Sequence, residues 1–145
     1  MKIAAFADVH ANFEGLQTIS EHIEKWKPDV TLVAGDIINR GPRPRECLDF
    51  TLRKIQTDSW QVIRGNHERF VISVGHEWRN YTQYELAYNR PIFWTYQQLD
   101  GDLAFLESYR SNYKYYRQMV RKSVWYMPLW SMIEQGFSLK QPTKN

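Results

Sequence analysis

Three short apolar runs in the first half of the chain each end in a polar cluster, and that repeated juncture constrains the fold more than any other feature. Lys2 to Ala7 stops at Asp8-Val9-His10, Asp29 to Ala34 stops at Gly35-Asp36, and Trp60 to Ile63 stops at Gly65-Asn66-His67-Glu68. Each run has the length and apolarity of a buried strand. Between them lie two stretches with helical spacing. One is Leu16, Ile19, Ile23 and Trp26, closed by Pro28; the other is Cys47, Leu48, Leu52 and Ile55. Strand, helix, strand, helix, strand is the pattern of a parallel sheet with crossover helices. Ligands of such sheets bind at the carboxyl ends of the strands, so the three clusters are expected to converge on one edge. Arg40-Gly41-Pro42-Arg43-Pro44 is a loop by its Gly and Pro content. Residues 69 to 107 are expected to be helical, with Phe93, Trp94, Leu99, Leu103 and Leu106 as packing candidates.

A single strand-end Asp is commonly a helix cap or a turn residue. Three clusters at three successive strand ends call for a shared role. Asp, His and Asn offer the oxygen and nitrogen donors that hard or borderline divalent metals take. Two such ions, roughly 3.5–4 Å apart, clamp a phosphate and generate a nucleophile at neutral pH. A bridging ligand is then needed, and a carboxylate can bridge. Gly35 and Gly65 are expected to let the backbone turn sharply beside the ions.

Taken together, Asp8-x-His10, Gly35-Asp36-x-x-x-Arg40-Gly41 and Gly65-Asn66-His67-Glu68 resemble the calcineurin-like metallophosphoesterase family in order, spacing and strand context. The resemblance covers about residues 1 to 108. It implies an α/β fold in which two sheets form a sandwich flanked by helices (αββα), with this chain holding the truncated N-terminal half. It implies a metal-dependent phosphoesterase acting on a small phosphate-ester or nucleotide substrate. Two divalent ions are implied, manganese first, with iron, zinc or magnesium as alternatives. By the resemblance Asp8 and His10 bind the first metal, Asp36 bridges, and Asn66 binds the second. His67 orients the phosphate or protonates the leaving group, and Arg40 holds the phosphate. The protein-phosphatase branch has Asp where this chain has Asn39, which points away from that branch.

Other polar residues read differently. Glu68 either supports His67 as an acceptor or serves as a cap-like or surface residue. His22 lies among polar neighbours and is expected to be a solvated surface histidine. His76 is expected to serve local structure. Cys47, on the apolar face of its helix, is expected to fill the core. As the one cysteine of 145 residues it also rules out an internal disulfide and fits a reducing, cytoplasmic setting. The N-terminal apolar run is too short for a signal peptide, and no stretch has the length of a membrane span.

The net charge of +3 is unevenly placed. Up to Ser108 there are 12 basic and 15 acidic residues; from Tyr109 onward there are 7 basic and one acidic. The front therefore carries no basic footprint for nucleic acid. Two segments are expected: residues 1–108 as the metallophosphoesterase part, and 109–145 as an atypical tail. Tyr109 to Trp130 holds five Tyr and two Trp with no clean period. One reading makes this a native basic aromatic segment of a non-catalytic binding protein, contacting RNA or a membrane surface. The favoured reading is translation out of frame. Reading one base earlier forces Gly from Met119-Val120, Val from Trp125-Tyr126 and Ala from Met127-Pro128, and allows His between the last two. Val-His-Ala resembles the family's next metal-binding strand. Residues 77 to 145 contain no histidine, so the chain as written is expected to lack late metal ligands and to be impaired.

Overall fold

The computed structural model describes residues 1–109. Three parallel strands form the sheet: β1 (Ile3–Phe6), β2 (Val30–Val33) and β3 (Gln61–Val62), in the order β1-β2-β3. Ile3 pairs with Val30 and Phe6 with Val33, while Leu32 pairs with Gln61 and Val33 with Val62. The third strand is shorter than its sequence predicts. The Ile63 amide nonetheless donates to the Val33 carbonyl at 3.0 Å, which carries the ladder to the edge of the loop.

Helix α1 (Phe13–Trp26) starts at Asn12, whose side chain accepts from the Gly15 amide at 2.9 Å. It ends at Lys27, which takes the left-handed conformation just before Pro28. Helix α2 (Pro44–Asp58) has proline at its first position, where the missing N–H has no partner to lose. Arg43 joins the two helix starts, contacting Glu14 at 2.6 Å and Glu46 at 2.9 Å. Helix α3 (Asn66–Glu77) springs directly from the third polar cluster. A 3-10 turn (Trp78–Asn80), α4 (Gln83–Tyr88), α5 (Arg90–Gln98) and α6 (Ala104–Ser108) complete the helical segment expected over 69–107.

The core joins sheet and helices through Leu16, Ile23, Val33, Ile37, Ile38, Leu48, Val71, Leu99 and Leu106. Cys47 is fully buried there, and burial pushes its thiol up to about 12, so it is inert filler. Leu99, Leu103 and Leu106 are buried as their spacing predicts. Ile19 and Trp26 are not. They stay partly exposed beside β1, where they line a surface groove with Ile3, Ala5 and His22. Helical period locates an apolar face but not whether a neighbour covers it. Tyr109, the first residue of the segment read as tail, is buried and packs edge-on against Phe105. The described residues hold one sheet; a second, implied by the family resemblance, is not among them. No described helix is long and apolar enough to cross a membrane.

Candidate active site

The loops that follow the strands are unusual in their backbone. Asp8, His10 and Ala11 after β1, and Asp36, Asn39 and Arg40 after β2, all have φ between 48° and 71°. Non-glycine residues seldom take this conformation, and it persists only where the surroundings fix it. Here the two loops are zippered to each other. The His10 amide donates to the Asp36 carbonyl at 2.9 Å, Ala11 to Ile37 at 2.8 Å, and Arg43 to Ala11 at 3.2 Å.

Glu68 locks this pair to the third cluster. Its carboxylate, 1% exposed, accepts from the amides of Asp36, Ile37 and Gly65 at 2.8 Å each and from Ile38 at 3.3 Å. Of the roles its sequence position allows, Glu68 therefore takes the capping one, and takes it buried. It caps α3 and clamps the Asp36 loop, and among the described residues it makes no hydrogen bond to the His67 ring.

Glycine is required at two points for different reasons. Gly35 sits at φ 85°, and a Cβ there would collide with the Gly65 amide nitrogen. Gly65 has φ −83°, which any residue adopts, so it makes no sharp turn. A Cβ on it would run into the Asp36 carboxylate and lie 2.6 Å from the Asp36 nitrogen. The sequence expectation of a turn holds at Gly35. At Gly65 the requirement is close approach.

With the loops so held, the side chains gather. His10, Asp36 and His67 offer donor atoms that all lie within 4.8 Å of one another. The His10 and His67 rings meet edge-on, 4.7 Å between centroids. Asp8 Oδ1 lies 3.4 Å from His10 Nε2 and is largely exposed. The Asp36 Oδ1 atom accepts the His67 amide at 2.9 Å, which fixes the carboxylate's aim. Asn66 is the first residue of α3 and is exposed, and its side chain makes no hydrogen bond among the described residues.

His67 is held by two residues of the second loop. Asn39, 2% exposed, has its Oδ1 fixed by the Arg40 amide at 2.9 Å and the Thr95 hydroxyl at 3.1 Å. Its Nδ2 is thereby turned to the His67 Nδ1 at 2.9 Å. A neutral imidazole has one acceptor nitrogen, and Asn39 Nδ2 at Nδ1 and Arg40 Nε at Nε2 both offer it an N–H, so these contacts hold the ring without fixing its tautomer. Burial holds the His67 imidazole below the usual histidine range. The Asp36 carboxylate opposes this shift, while the His10 and Arg40 charges add to it. The ring is accordingly neutral at pH 7. Arg40 Nε lies 3.3 Å from Nε2 and aims its N–H at that nitrogen.

The cluster fits divalent cations. Two imidazoles and a carboxylate converge, a second carboxylate stands beside them, and the buried His10 Nδ1 has no hydrogen-bond partner among the described residues. A ring nitrogen out of water and without a partner is costly unless something binds it. The sequence missed two features here. Asn39 stood out as a departure from a pattern and not as a residue that holds the His67 ring. Glu68 as a clamp had a legible signal, since a Glu two residues past the strand-end Gly-Asn can cap the helix that follows.

The family model for calcineurin-like phosphoesterase matches residues 1–135. The chain belongs to that family. Among solved structures, the metallophosphoesterase of Sphaerobacter thermophilus is similar at a TM-score of 0.54 and 31% identity, over 75% of this chain and 41% of that one. A hypothetical protein of Pyrococcus horikoshii shares the fold at a TM-score of 0.64 and 21% identity, over 75% and 48%. In sequence, the symmetrical bis(5'-nucleosyl)-tetraphosphatase of Neisseria gonorrhoeae is 33% identical over 72 residues, 49% of this chain and 25% of that protein. A putative serine/threonine-protein phosphatase of Caenorhabditis elegans is 27% identical over 97 residues, 66% and 26%. The chain thus spans about a quarter of the length of these relatives. As a calcineurin-like phosphoesterase it has a parallel sheet flanked by helices, with its candidate metal donors at the strand ends.

Proposed function

We propose that the chain is a hydrolase of small phosphate esters, nucleotides among them, that works with two divalent metal ions, manganese first. The observation that carries this reading is the convergence of His10, Asp36 and His67 within 4.8 Å. Asp8 and His10 would hold one ion, Asn66 the other, and Asp36 both. The ions supply a nucleophile at neutral pH and neutralise charge on the phosphoryl group. The protein's own contribution is to aim the donors and to handle the proton. Arg40, its guanidinium beside His67 Nε2, would hold a phosphoryl oxygen. His67 would orient the phosphate or, when its ring is protonated, give that proton to the departing oxygen. The tetraphosphatase relatives favour a nucleotide over a phosphoprotein, and so does Asn39 in place of Asp. A cytoplasmic setting is proposed from the single, buried cysteine.

No histidine follows His76, so this chain is proposed to hold its metals weakly and to turn over slowly. The test is hydrolysis of an aryl phosphate with added Mn²⁺, in this chain and in one extended through the restored frame. Asp36→Asn should abolish it, since an amide bridges two cations poorly. His67→Ala should lower turnover by roughly 10²–10⁴-fold, with metal content little changed. Unaltered turnover in the Asp36 variant would overturn the site.

A further inference from the structure

Beside His67 and Arg40 the surface sinks into a groove of about 710 Å³, running from the second loop to the α4–α5 junction. Its apolar lining is Phe70, Tyr88, Pro91 and Ile92. The Phe70 ring lies 5.5 Å from the His67 ring, centroid to centroid, so the aromatic wall begins next to the candidate catalytic imidazole. Phe70 is 44% exposed and Tyr88 78% exposed. Isolated apolar side chains on a surface need no explanation. Two aromatic rings, a proline and an isoleucine in one depression with Arg40 and His67 do.

We propose that this groove takes the nucleobase of a nucleotide substrate, with Phe70 and Tyr88 as the stacking residues that decide specificity. The proposal rests on the phosphoesterase reading for its phosphate end, at Arg40 and His67. A nucleobase has a flat apolar face that stacks on such rings whatever its sequence of donors and acceptors. The sugar of a nucleotide joins its base to its phosphate, and this one groove is lined both by Arg40 and by Tyr88 and Ile92. A bare sugar phosphate would use the cationic end and leave the aromatic end wet. Phe70 and Tyr88 lie outside the buried core, so their truncation is compatible with folding.

The experiment is calorimetric titration of the full chain, with Mn²⁺ present, against adenosine monophosphate, ribose 5-phosphate and adenosine. Stacking should make the nucleotide bind about tenfold more tightly than the sugar phosphate. Phe70→Leu and Tyr88→Ser should each erase most of that advantage and leave ribose 5-phosphate affinity unchanged. Adenosine should bind weakly, and in a Phe70-dependent way. Should ribose 5-phosphate fail to bind while adenosine binds and Phe70→Leu removes it, the phosphoesterase reading fails and the base site stands. Equal affinities for nucleotide and sugar phosphate, an advantage that survives both variants, or no binding of either adenine compound would overturn the base site.

Discussion

Of the nine described non-glycine residues in left-handed backbone, six lie in the first two strand-end loops, which is where local constraint is concentrated. Asp8, His10, Asp36 and Arg40, four of the residues whose types suit metal or phosphate binding, are among them. Glycine at 65 serves the same end by a different means, since it leaves room for the Asp36 carboxylate. Gly65→Ala adds one carbon where that carboxylate and its amide already lie. The backbone there tolerates alanine, so the cost is steric, about 1–3 kcal/mol. The Asp36 side chain must move off the convergence point. Mn²⁺ affinity in this variant should fall at least tenfold while the far-ultraviolet circular dichroism is kept. Unchanged affinity would show that Asp36 does not depend on the space that Gly65 leaves.

At the scale of elements, one buried carboxylate holds two loops and a helix start in place. Glu68 accepts four backbone N–H groups from residues 36, 37, 38 and 65. Glu68→Ala would strand those donors inside the protein. Leaving buried donors unpaired costs roughly 1–3 kcal/mol each when water cannot reach them, so a total loss near 3 kcal/mol is a moderate expectation. A urea midpoint within error of the parent's would count against the clamp. The sequence made the elements legible because their periods are clean: three short apolar runs, two helical stripes, and turn residues between them. It made the convergence legible because parallel strands bring their carboxyl ends to one edge. It did not separate the roles within each cluster. Whether Glu68 faces His67 or the backbone depends on the path of the Asp36 loop, and that path is set by contacts 30 residues apart. The exposure of Ile19 and Trp26 was hidden for a related reason, since period does not report what packs opposite.

For the whole molecule, the decisive quantity is how many metal donors one chain supplies. Residues 1–109 supply Asp8, His10, Asp36 and Asn66, with His67 kept for the phosphate, and nothing from 77 to 145 can add an imidazole. Three or four donors suit a single ion, and a bridged pair needs more. The segment 110–145 lies outside the described residues. Its translation out of frame is proposed from the nucleotide argument: Met119-Val120, Trp125-Tyr126 and Met127-Pro128 force Gly, Val and Ala when read one base earlier, and the shift in charge balance falls at the same place. Titration of the 145-residue chain with Mn²⁺ should therefore give weak binding, with no second tight site. The DNA beyond the Ser108 codon should continue, one base out, as an open frame with Val-His-Ala in place of Trp125 to Pro128 and a further Gly-His-x-His downstream. A chain made from that frame should bind two ions tightly and hydrolyse phosphate esters. Two tight sites in the present chain would sink the account at the protein, and a downstream frame without histidines would sink it at the gene.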